Sequence, residues 1–192
     1  MFKTTLKKGD KVSLQSLSGG MAGDERFIHK FLIGEQRIKD MGLVPVRSEH
    51  SMKGFKFIAE NPDKRAEDLM KAFKDPEIKM IIANIGGVDS HTIIPYLDLE
   101  VIKNNPKPVL GYSDTTSIHL LLYTLGIQTY YGPSVLDGFA ENVEMHKITK
   151  ESVETILFTN EEQEVIQAQE WTSEFLDWTN ESFDYVKRKM NK

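Results

Sequence analysis

Hydrophobic positions along the chain switch back and forth between a run, which suits a strand, and a three-to-four-residue spacing, which suits a helix. KVSLQSL (11–17) is an extended run that opens into the loop SGGMAGD. ERFIHKFLIGEQRIKDMG (25–42) then carries apolar residues at helical spacing and ends on a glycine suited to a helix cap. LVPVRSE (43–49) reads as a second strand. PDKRAEDLMKAFKD (62–75) reads as a helix with Pro62 near its first turn and Ala66, Leu69, Met70 and Phe73 on one face. KMIIANIGG (79–87) is continuously apolar, as a parallel strand covered on both faces would be. TIIPYLDLEVIKNNP (92–106) predicts a short helical connection, PVLGYS the next strand, DTTSIHLLLYTLG (114–126) the next helix, and TYYGPSV (129–135) a further short strand.

Alternation of this kind predicts an α/β fold: a mostly parallel sheet with helices on both faces. Such sheets bind ligands beyond the carboxyl ends of their strands, where the loops SGGMAG, NIGGVDS and GYSDTT all fall. Residues 1–150 are expected to form this α/β domain. Residues 151–192 are expected to form an amphipathic, then strongly charged, segment crossing toward another domain.

Composition narrows the classes. With 192 residues, 40% hydrophobic and 28% charged, the chain has the make-up of an ordinary soluble globular protein. No apolar run approaches the ~18 residues of a bilayer span, and the start, MFKTTLKKGDKV, lacks the apolar stretch of a secretory signal. A cytoplasmic protein with no membrane contact is the expectation. The absence of cysteine excludes disulfides, thiolate zinc sites and a cysteine nucleophile. A net charge of −5 without a basic stripe argues against a nucleic-acid partner.

The candidate chemistry centres on VLGYSDTTSIHLLL, where Ser113 stands at a strand-to-helix junction. A serine hydroxyl needs a base and oxyanion donors, and a sharp turn at a helix start supplies the geometric half of that requirement. The same pattern also suits a simple helix cap by Ser113 or Asp114, and the sequence G-x-S-x-G is not met because position 115 is Thr. Gly86 and Gly87 follow a buried strand and let the backbone approach a ligand, or simply turn tightly. SGGMAG matches neither dinucleotide nor P-loop patterns. His119 lies six residues after Ser113 in the same helix and points elsewhere; His91 is close to the glycine pair; His29 lies mid-helix, and His50 and His146 fall in loops or at element edges. No histidine shows a second ligand at metal spacing, so neither a metal nor a cofactor is expected.

NPDKRAEDLMKAFKDPEIKMIIANIGGVDSHTIIPYLD, followed by NPKPVLGYSDTTSIHLLLYTLGIQTYYGPSVLDGFAENVEM, resembles the N-terminal half of the LD-carboxypeptidase family of serine peptidases, which includes the microcin C immunity hydrolases. That resemblance implies a flavodoxin- or Rossmann-like domain with Ser113 as nucleophile, and the amides of Asp114 and Gly87 as oxyanion hole. Gly86, Ser90, His91 and Tyr112 are expected around the pocket. It implies a peptide or muropeptide substrate in peptidoglycan recycling, with an aminoacyl nucleotide as second choice, and homodimers among its assemblies. The Glu and His that complete the triad come, in the family, from a C-terminal domain. This chain ends at Lys192, where members cross into that domain, and Glu141, Glu144 and His146 match no triad position. The chain alone is therefore expected to be nearly inactive, completed in cis or in trans. Two departures from the family pattern are Leu17-Ser18-Gly19-Gly20 in the first loop and Ile85 before the glycine pair. A binding or dimerising module without chemistry is the alternative from another class.

Overall fold

The computed structural model describes residues 5–192, so the first four residues of the amino-terminal stretch lie outside it. Five strands form one parallel sheet: β1 (Lys11–Gln15), β2 (Val44–Arg47), β3 (Ile78–Ala83), β4 (Val109–Gly111) and β5 (Tyr130–Tyr131), in the order β2-β1-β3-β4-β5. Among the described residues six α-helices accompany them: α1 (Ile28–Asp40), α2 (Gly54–Glu60), α3 (Pro62–Lys74), α4 (Leu99–Asn104), α5 (Thr116–Thr124) and α6 (Lys147–Phe158).

Residues of alternate parity in the central strands feed two separate cores. Met80 and Ile82 of β3 join Val12 and Leu14 of β1, Phe31 and Ile38 of α1, and Val153 and Leu157 of α6 on one face. Ile81 and Ala83 join Val109, Leu69 and Phe73 of α3, Ile102 of α4, and Ile118 and Leu122 of α5 on the other. Met80–Ala83 of β3 is buried on both faces, which suits its unbroken apolar run, while β1 buries Ser13 and Gln15 with their side chains hydrogen-bonded to each other. Among the described residues, no helix is long and apolar enough to cross a membrane.

The chain departs from the sequence expectations at three places. GFKFIAE, for which no element was expected, forms α2, entered through Gly54 at φ +79°. The expected 92–106 connection divides into a 3₁₀ stretch, Ser90–Tyr96, containing Pro95, and the short α4. TYYGPSV is strand only at Tyr130–Tyr131, because Gly132 and Pro133 break it. The following residues instead send the Val135 and Leu136 amides to the Ala83 and Asn84 carbonyls at the end of β3, at 3.0 and 2.9 Å.

Strand order reverses between β1 and β3, so the chain leaves these two strands in opposite directions and opens a crevice at their carboxyl ends. The loops after β1, β3 and β4 meet there.

Candidate active site

Ser113 follows β4 by two residues and begins a single 3₁₀ turn, Ser113–Thr115, that leads into α5. Its side chain is exposed and its φ is +60°. A left-handed conformation costs a non-glycine residue roughly 1–2 kcal/mol, so the surroundings must hold it. The Thr116 hydroxyl donates to the Ser113 carbonyl, the Thr115 amide donates to the Tyr112 carbonyl at 3.3 Å, and the Ser113 amide donates to the Tyr131 hydroxyl at 3.3 Å.

Of the two glycines after β3, Gly86 is the one pressed against the serine. A Cβ added there would lie 3.1 Å from Ser113 Cβ, 3.2 Å from its Oγ and 3.5 Å from the Asp114 nitrogen. A Cβ on Gly87 would instead meet Ser18 Oγ at 2.1 Å and the Gly19 nitrogen at 2.8 Å. Among the described residues, the amides of Gly86, Gly87 and Asp114 have no hydrogen-bond acceptor. Of these three, the Asp114 nitrogen and Gly86 lie beside the exposed Ser113 side chain.

Beneath the glycine turn lies a strut that the sequence did not reveal. Ser18 Oγ accepts from the Val88 and Asp89 amides at 3.1 and 3.2 Å and donates to Asp89 Oδ1 at 2.8 Å. Arg65 of α3, only 2% exposed, donates to the Leu17 carbonyl at 2.9 Å and to Asp89 at 3.0 Å, and reaches Thr92 Oγ1 at 2.9 Å. The loops after β1 and β3 are thereby fixed to one another and to α3. Arg65 and Asp89 lie far apart in the chain, and nothing in either local stretch announces the pair.

Asp114 is half-buried. Burial raises its carboxyl, but hydrogen bonding, including that from the Ser90 amide, outweighs it and leaves the group below the ordinary carboxylate range. The Ser90 amide contact is 2.8 Å. Asp114 therefore stays ionised and ties the start of α5 to the 3₁₀ stretch after the glycine turn. Its side chain is structural, while its amide faces the site.

Tyr112 packs edge-on to Tyr131, with ring centroids 6.2 Å apart. His91 is exposed, and its side chain makes no hydrogen bond or ion pair among the described residues. His119 is buried, and its Nε2 donates to the Gly111 carbonyl at 2.9 Å. Burial lowers its basicity, partly offset by that bond. It is a packed helix residue, as its spacing suggested. Tyr131 was read from the sequence only as part of a strand; its hydroxyl contact depends on β4–β5 pairing, in which Gly111 aligns with Tyr131.

His50 differs from the sequence reading, which gave no histidine a second ligand. The fold brings it together with Glu49 and Asp68, their ligand atoms all within 4.8 Å. Asp68 already takes the His50 amide and Nδ1, each at 2.8 Å, and Lys71 takes Glu49 at 2.6 Å. The cluster is an ion-pair network fastening the end of β2 to α3.

The loops after β3 and β4 thus set an exposed hydroxyl on a strained turn beside a glycine bend. The family model of the LD-carboxypeptidase N-terminal domain matches residues 12–132, from β1 to just past β5, and the chain belongs to this family. The microcin C7 self-immunity protein MccF of Escherichia coli is 34% identical over 118 residues, covering 59% of this chain and 34% of that protein. Relatives from Vibrio cholerae and Bacillus subtilis whose names place them among carboxypeptidases are 29% and 30% identical over 93% and 95% of this chain. The chain spans about half the length of these two, 53% and 56%. An MccF-like protein from Streptococcus pneumoniae, solved in complex with AMP, superposes with a TM-score of 0.88 at 35% identity, over 95% of this chain and 54% of that one.

Proposed function

We propose that this chain is the nucleophile-bearing part of a serine-type carboxypeptidase, acting on an amide next to a terminal carboxylate. The observation that carries the reading is Ser113 itself: exposed, at φ +60°, and in contact with Gly86 at the carboxyl end of a parallel sheet. A residue that merely capped a helix would have no need of this strained conformation.

In the proposed reaction Ser113 Oγ attacks the substrate carbonyl, and its proton passes to a histidine base. The amide of Asp114, with that of Gly87 or Gly86, receives the negative charge on the carbonyl oxygen. Collapse of the tetrahedral species breaks the C–N bond, the amine leaves with the proton from the base, and water then hydrolyses the acyl-enzyme. We assign the base and its glutamate partner to a C-terminal domain of the kind the family resemblance implies. Neither His91 nor His119 fits the role, the one exposed without partners and the other committed to Gly111.

The substrate we favour is a muropeptide, cut beside a terminal D-alanine; relatives named for murein carboxypeptidase activity support it. The second reading is an aminoacyl nucleotide, supported by the likeness to MccF and to an MccF-like structure holding AMP. The test mixes the chain with a separately expressed C-terminal half of a family member and assays D-alanine release. We expect release with Ser113 present and a loss of several orders of magnitude with Ser113→Ala. Unchanged release by the alanine variant would remove Ser113 from the mechanism.

A further inference from the structure

We propose that Tyr131 is a positioning residue for Ser113: its hydroxyl oxygen accepts the Ser113 amide and holds the nucleophile's backbone in the left-handed bend. The inference rests on the reading of Ser113 as nucleophile and adds a residue from another strand to its machinery.

Most of the hydrogen bonds around the bend arise from the helix start itself. The Thr116 hydroxyl on the Ser113 carbonyl and the Thr115 amide on the Tyr112 carbonyl would accompany any tight entry into a helix. Only the Tyr131 contact, at 3.3 Å, ties the serine to a different element.

Tyr131 is itself held in place. It pairs with Gly111 in the β4–β5 register, and the next residue, Gly132, donates its amide to the Gly111 carbonyl at 3.1 Å. That same carbonyl takes His119 Nε2, and the His119 ring lies 6.2 Å from the Tyr131 ring. Tyr112 abuts the tyrosine from the other side, also at 6.2 Å. β4, β5 and α5 together thus fix where the hydroxyl sits.

Burial does not account for this side chain, which is 69% exposed. What it contributes is an acceptor for a donor that the turn leaves unmatched. With the Ser113 amide engaged, the Asp114 amide is the free donor on this side of the site.

Tyr131→Phe removes the hydroxyl and keeps the ring. The chain, this variant and Ser113→Ala are treated with a fluorophosphonate probe in the presence of imidazole, which supplies a base. Intact mass then gives the probe's binding constant and its maximal rate of phosphonylation separately. We expect the phenylalanine variant to lose on the order of tenfold in maximal rate, with binding constant and melting temperature unchanged, because small misplacement of a nucleophile acts on rate. An unchanged maximal rate overturns the positioning role and leaves Ser113 as nucleophile. Labelling of Ser113→Ala equal to the parent, or none of the parent with imidazole present, overturns the nucleophile reading and this inference with it.

Discussion

Gly86 and Gly87 sit side by side, yet the same added methyl meets different obstacles at each. At Gly86 it would lie 3.1–3.2 Å from the Ser113 side chain, which is exposed and can give by a few tenths of an ångström. At Gly87 it would lie 2.1 Å from Ser18 Oγ and 2.8 Å from the Gly19 nitrogen, and relieving that contact displaces the hydroxyl that holds the Val88 and Asp89 amides. We therefore expect Gly86→Ala to cost on the order of 1 kcal/mol of stability while abolishing probe labelling of Ser113, and Gly87→Ala to cost about 2–3 kcal/mol. Denaturant melts of the two variants beside the labelling assay check this, and the reverse order of stabilities would refute the strut beneath the turn. Which glycine faces the serine was not legible in NIGGVDS. The residue that decides it, Ser18, is contributed by the loop after β1 and comes close only when β1 pairs with β3.

The elements with several turns of one-sided apolar spacing, α1 and α3, were legible within a few residues, as were the strands of the doubly covered sheet. The element α2 was not, because only Ile58 of its seven residues is buried, and one buried position sets no period. β5 was overextended because aromatic content suggests strand, whereas Pro133, with no amide to donate, ends the pairing. The end of α3 carries a device that patterning could not show. Lys107, just before β4, inserts its ammonium among the last carbonyls of that helix, donating to Ala72 at 2.6 Å and to Asp75. Burial pushes its pKa from 10.5 down to about 8. Between these two values the unfolded chain binds more protons than the folded one, so this group makes stability rise with pH across that window. Below about pH 8 both states are protonated and the slope vanishes. Urea melts from pH 7 to 10.5 should show this rise in the parent, and Lys107→Met should flatten that component.

At the scale of the molecule, the segment after α6 is held chiefly by buried charge, with Trp178 its one aromatic residue packed on the core. Trp171 and Phe175 are 59% and 76% exposed, while Trp178 packs against the core. The fastening is Asp184, 4% exposed, which lies 2.5 Å from His29 Nδ1 and 2.7 Å from Lys30 Nζ, both on α1. His29 Nε2 in turn faces the Trp178 carbonyl at 2.9 Å, so one histidine bridges two points of the segment. Lys30 is 2% exposed, and removing its partner leaves a buried ammonium whose remaining contacts, Asn142 and the Ala140 carbonyl, are neutral. Asp184→Ala should therefore cost about 3–5 kcal/mol and free the segment to proteases, with a red shift in Trp178 emission. Lys187→Ala breaks only the exposed pair with Glu144, and its melt and digestion pattern should match the parent's. Equal effects from the two variants would mean that general attraction between α1 and an acidic tail holds the segment, and that the buried Asp184 has no special part in it.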